Sequence, residues 1–172
     1  MKRNEIKNAH EKSVLSSFKE FKERNGETLK IISQPDPPDA IIEINGKKSW
    51  IEISDAFFSP ELAKSVTSYA SDDKIHIPVP KDKRLVIDPN RQFSSILRKV
   101  ILNKYTKDSI GRVFSEYGSG ILLVGIINPF AYAKDLVVTE QKQILEKINL
   151  EEKRFHEIYF YEVNNHEFVK FL

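Results

Sequence analysis

Between about Ala9 and Arg24, Val14, Leu15, Phe18 and Phe21 recur at helical spacing, and Asn25-Gly26 ends the amphipathic helix that this pattern predicts. The period then shortens. Thr28 to Ser33 is a β-rich run, closed by Gln34-Pro35-Asp36-Pro37-Pro38, where proline excludes a continuing ladder. Two further runs, Asp39 to Ile44 and Lys48 to Ser54, flank Asn45-Gly46, the pair best suited to the positive φ angles of a type I′ turn. They predict a hairpin. Ser59-Pro60-Glu61 marks the start of a short helix to about Tyr69, and Ile75 to Ile87 reads as one or two short strands broken by prolines. From Arg91 to Tyr105, Phe93, Ile96, Leu97, Val100 and Ile101 form one apolar stripe opposite Arg98 and Lys99. After the Gly118-Ser119-Gly120 turn, Ile121 to Ile127 is apolar on both faces, as a central strand is. Thr139 is placed to cap a helix carrying Ile144, Leu145 and Ile148, and His156 to Val163 with Glu167 to Phe171 reads as a closing hairpin about Asn164-Asn165.

The resulting order is helix, three strands, helix, strand, helix, two strands, without repeats or linkers. It predicts one α/β domain over the 172 residues, with a mixed central sheet flanked by helices and with residues 55–90 as a substrate-facing insertion. Hydrophobic residues make up 40% of the chain, enough for one core. The 27 basic and 25 acidic residues leave a formal charge of only +2, so an anionic partner has to be met locally and not by a polybasic surface. The chain has no cysteine, which excludes disulfides, thiolate zinc sites and cysteine nucleophiles. Its longest apolar run falls far short of the roughly 20 residues of a membrane helix, and Met1-Lys2-Arg3-Asn4 leads into charged residues, not an apolar signal core. The expectation is a soluble, cytoplasmic protein with no membrane partner.

The hairpin carries the chemistry. With Asn45-Gly46 as a two-residue loop, Ile44 faces Lys47, and counting outward sets Asp39 directly across from Glu52. A loop longer by two residues moves the pairing but not the parity, so Asp39, Glu52 and Ser54 share one face in either register. Like charges facing each other destabilise a sheet. They therefore belong either to a wet edge or to a site holding a cation. Two carboxylates with a backbone carbonyl and waters suit Mg²⁺.

Pro38-Asp39, a gap of twelve residues and then Glu52-Ile53-Ser54 resemble the PD-(D/E)xK motif of the restriction-endonuclease-like nucleases. The likeness spans roughly the first 130 residues. It implies a restriction-endonuclease-like α/β fold and a nuclease that hydrolyses phosphodiester bonds, first of all in DNA, with Mg²⁺ or Mn²⁺. It also implies that Asp39, Glu52 and the Ile53 carbonyl hold the metal. Many relatives carry a further glutamate on the first helix, for which Glu11 is placed on the inward stripe and Glu20 is the second choice. A first-turn acid stabilising the helix dipole is an equal reading of Glu11. Such nucleases are often homodimers, because two symmetric sites cut two strands.

The sequence departs from the motif at one position. The lysine that positions and activates the attacking water falls at residue 54, where Ser54 stands, and serine cannot stabilise a developing hydroxide as an ammonium does. Lys99 or Lys104 on the following helix, or Lys48 on the hairpin, could supply the cation. A solvated helix face is the alternative reading of the first two. If none does, the chain is a catalytically inactive nuclease-fold module that binds nucleic acid or a protein. Phe57, Phe58 and Tyr69 are candidates for stacking on bases or for packing, and Lys81-Asp82-Lys83-Arg84 for a phosphate contact or a solvated loop. His10, His76, His156 and His166 show no metal-ligand spacing.

Overall fold

The computed structural model describes residues 2–84, 89–129 and 131–172. Its elements are α1 (Arg3–Arg24), β1 (Leu29–Ser33), β2 (Ala40–Ile44), β3 (Lys47–Phe57), α2 (Pro60–Ala70), α3 (Pro89–Thr106), α4 (Asp108–Tyr117), β4 (Gly120–Ile127), α5 (Ala133–Ile148), β5 (Phe155–Glu162) and β6 (Phe168–Lys170). The strands form one mixed sheet in the order β1-β2-β3-β4-β5-β6. β3, β4 and β5 run parallel and the other neighbours antiparallel. The chain is thus α/β, with helices on both faces of the sheet.

Alternation along the strands divides the core in two. Ala40, Ile42, Ile51 and Ile53 join Val14, Leu15 and Phe18 of α1 on one face. Ile41, Trp50 and Ala56 join Phe93, Leu97 and Ile101 of α3, Ile110 of α4 and Ile144 of α5 on the other. Burying both faces explains why β4 reads as a continuous apolar run.

Asn45 and Gly46 adopt φ of 50° and 77°, and Ile44 pairs with Lys47, as the sequence predicts. Differences lie mainly at helix ends. α1 begins at Arg3 and not near Ala9, because its first turn is polar and is closed by the Glu5 side chain accepting from the Lys2 N–H at 2.7 Å. α5 begins at Ala133, so Thr139 is inside the helix and not its cap, and the buried Ala133 and Leu136 anchor the extra turns. α4 has no counterpart in the expected order, although Ile110, Val113, Phe114 and Tyr117 have helical spacing. The expected strands within 75–87 are absent from residues 75–84, which hold a single 3₁₀ turn at Lys81–Lys83, while 85–88 lie outside the described residues. Since β3 runs on to Phe57, residues 55–57 belong to the sheet and not to an insertion. Among the described residues no helix is long and apolar enough to cross a membrane.

Candidate functional site

The ladder between β2 and β3 ends at the pair Ala40 and Ile51, and Asp39 is the next residue outward, where continued register sets it opposite Glu52. Both acids are buried, with 6% and 3% of their surface exposed. Because Trp50 and Ala56 face the α3 layer, Glu52 and Ser54 between them do too, and Ile41 puts Asp39 on the same side. The shared face read from the hairpin is therefore the one that α3 covers. Asp39 Oδ2 accepts the Ile53 N–H at 2.7 Å, which ties the loop before β2 to β3 just past the end of the ladder. In a strand the N–H and C=O of one residue leave on the same side, so the Ile53 carbonyl turns toward the same fork.

Lys104, near the C-terminal end of α3, donates to Glu52 Oε1 at 2.7 Å. Glu52 Oε2 is buried and has no hydrogen-bond partner among the described residues. A buried carboxylate oxygen without a donor is costly in a protein interior. It fits a site completed by a cation.

Asp39 opens into a cleft of about 320 Å³ lined also by Asn8, Glu11 and Lys12 of α1 and by Gln34, Pro35 and Asp36, with Glu52 buried beside it. Glu11 comes from the opposite helix layer and meets this cleft at the sheet margin. Lys7 bridges its wall, 3.4 Å from Glu11 and 2.7 Å from Asp36. Glu20 is exposed, nine residues further along α1. Lys99 is exposed on the outer side of α3 beside Lys147. Lys48 sits over the Tyr117 ring at 4.7 Å. Of the three lysines weighed for the role, Lys104 is the one in contact with the acid pair. Phe58 is core, whereas Tyr69 is 80% exposed and packs edge-on against His76.

Comparison of the chain with protein-family models, curated proteins and solved structures gives no match. The reading of the cleft rests on its own geometry.

Behind the cleft lies a network that sequence inspection did not find. Asp55 of β3, Gly125 of β4 and Tyr161 of β5 are in register across the sheet. Tyr161 Oη donates to Asp55 Oδ1 at 2.9 Å, and His10 Nε2 of α1 lies 3.0 Å from Asp55 Oδ2. A Cβ at Gly125 would overlap the Asp55 carboxylate and come within 2.8 Å of Tyr161 Oη, so only glycine leaves room for this pair. That glycine inside an apolar strand was the one signal available. The network fixes α1 against the sheet one residue before Glu11.

Burial, and next the Glu52 carboxylate beside it, push the Asp39 carboxyl up from 3.8 to about 7, against the pull of the Ile53 N–H. The unfolded chain gives up this proton near pH 4, whereas the folded metal-free protein keeps it to about pH 7. Stability therefore falls as pH rises across that window and is level above it. His10 adds a second slope of the same sign. Its hydrogen bond to Asp55 raises it above 6.5, so stability present below that pH is lost as pH rises through the folded value. Asp39→Asn is expected to remove the first slope and leave the second. Denaturation in EDTA should find the variant more stable than the parent at pH 8, by on the order of 1–3 kcal/mol, and equal to it near pH 4. An equal difference at both pH values would show that Asp39 carries no raised pKa.

Proposed function

We propose that the protein is a metal-dependent nuclease of the restriction-endonuclease-like type, hydrolysing phosphodiester bonds in DNA at the Asp39–Glu52 cleft. The observation that carries this reading is the buried acid pair with one unsatisfied oxygen, Glu52 Oε2, and an ammonium, Lys104, delivered beside it. A solvated strand face would show neither. Asp39, Glu52 and the Ile53 carbonyl are the oxygens that would hold Mg²⁺ or Mn²⁺. Among the described residues no three of His, Cys, Asp and Glu converge into a metal-binding group. That suits Mg²⁺, which is commonly held by one or two carboxylates and keeps several waters. When bound, the ion supplies an activated water and neutralises charge growing on the phosphate oxygens.

The chain's own groups do the rest. Asp39 is held in place by the Ile53 N–H, and its proton has to leave before it can act as a ligand, so metal affinity weakens below about pH 7. Lys104 is the resident counter-ion of Glu52 and takes the part of the lysine that the motif places at Ser54, stabilising the developing hydroxide. Lys12 lines the cleft and Lys7 is ion-paired to two of its lining acids, Glu11 and Asp36, which places both ammonium groups to meet phosphate oxygens. Glu11 faces the same cleft and is the candidate for a second ion or its water.

The Lys104–Glu52 ion pair favours a second reading, in which the fold persists as a non-catalytic binding module and Lys104 permanently occupies the cation position. Incubation of DNA with the protein in Mg²⁺ or Mn²⁺ separates the two. Cleavage that EDTA abolishes supports the nuclease, and tight binding without cleavage in either ion supports the module.

A further inference from the structure

From Pro89 to Thr106, α3 carries four basic residues, Arg91, Arg98, Lys99 and Lys104, and no acidic one. Lys104 and Arg98 are committed within the fold. Lys104 pairs with Glu52 and Arg98 with the buried Glu140, which also accepts from Ser94. Lys99 points elsewhere. About 140° around the helix from Lys104, by the helical period, it lines a groove of about 330 Å³ together with Ser95, Arg98, Leu102, Asn103 and Lys147 of α5. Lys99 and Lys147 make no ion pair or hydrogen bond among the described residues, and no acid lines the groove. Two ammonium groups from different helices thus reach one groove. An anion there pairs with both.

The sheet order says which anion. The acid cleft lies on the β2 side of β3, α3 packs over β3, and α5 packs over β5 and β6, so α3 stands between cleft and groove. An α-helix with its side chains is about 10–12 Å across, and the major groove of duplex DNA is about 12 Å wide. One duplex can therefore set a strand on each side of α3. We propose that the α3–α5 groove seats backbone phosphates of duplex DNA through Lys99 and Lys147, with Arg98 fixed beside them by Glu140, while the other strand enters the cleft. The choice of occupant rests on the nuclease reading.

The test measures binding separately from cleavage. Anisotropy of a labelled DNA duplex is titrated with the full-length protein in EDTA over a range of salt, for the parent, for Lys99→Gln/Lys147→Gln, and for Lys134→Gln/Lys142→Gln, an equal charge change on α5 outside the groove. Each lost phosphate contact lowers the slope of log affinity against log salt by about 0.9 on a duplex. The groove variant should lose about 1.8 from that slope, and the control variant should stay with the parent. An unchanged slope in the groove variant, an equal loss in the control, or a parent that does not bind the duplex overturns the proposal. Metal-dependent cleavage by a groove variant of unaltered slope would sink the groove alone. The expected slopes in a protein that never cleaves would sink the nuclease reading and keep the groove.

Discussion

Asp39→Ala and Glu52→Ala each lower Mn²⁺-dependent cleavage by more than about 100-fold, since even the partners that orient metal ligands are worth 10–100-fold. The two variants then differ in stability. Asp39→Ala removes a buried carboxyl whose raised pKa, caused by burial and by Glu52, makes it a burden above pH 7 in the metal-free protein, and it offsets this by losing the bond to the Ile53 N–H. Glu52→Ala leaves the half-buried Lys104 ammonium without its partner and lowers stability by about 3 kcal/mol or more. From the sequence alone both substitutions would relieve the same repulsion. Lys104 breaks that symmetry, and urea denaturation in EDTA measures it. Parent-like cleavage in either variant, insensitive to EDTA, would falsify the site.

Lys104→Met has the second large effect. The substitution keeps an unbranched stem of similar length and removes the ammonium, so cleavage should drop by roughly 10²–10⁴-fold, the range for a group that assists proton transfer at the reacting water. Mn²⁺ affinity is not expected to weaken, because lysine is not a ligand and its departure frees Glu52 Oε1. A loss of affinity parallel to the loss of rate would mean that Lys104 only holds Glu52 in place. Lys142→Met serves as the comparison and should cleave at nearly the parental rate, since Lys142 is exposed on α5 and lines neither the cleft nor the α3–α5 groove. Ser54→Lys on the Lys104→Met background tests the same role from the motif position. Strand alternation points residue 54 to the face that carries Glu52, so cleavage should return in part. No recovery, together with a harmless Lys104→Met, would leave the binding module as the better account.

The legible part of this site is the part written in local periodicities. Asn45-Gly46 determines a two-residue turn, the turn sets the register, and the register with its period of two brings Asp39 and Glu52 to one face, all within sixteen residues of chain. Lys104 was one of three open choices because the apolar stripe of Phe93, Leu97 and Ile101 fixes which side of α3 faces the sheet but not which strand α3 covers or how far along it the helix lies, and that is decided by tertiary packing. The His10, Asp55 and Tyr161 network joins residues far apart in the chain, and a scattered histidine carries no spacing to read. α4 escaped for another reason. A helix of ten residues, separated from α3 by Lys107 alone and holding Gly111, offers too short a window for its period to stand out.

In the proposed nuclease, Asp39 and Glu52 together hold one divalent cation beside Lys104, the counter-ion of Glu52. Calorimetric titration of the EDTA-treated protein with Mn²⁺ at pH 8, and again at pH 5.5, tests it most directly. The account predicts a Mn²⁺ site that is present in the parent, weaker at pH 5.5 because Asp39 is then protonated, retained in Lys104→Met, and lost in Asp39→Ala and Glu52→Ala. A parent that takes up no Mn²⁺ at pH 8, or one whose site survives in both acid variants, would contradict it.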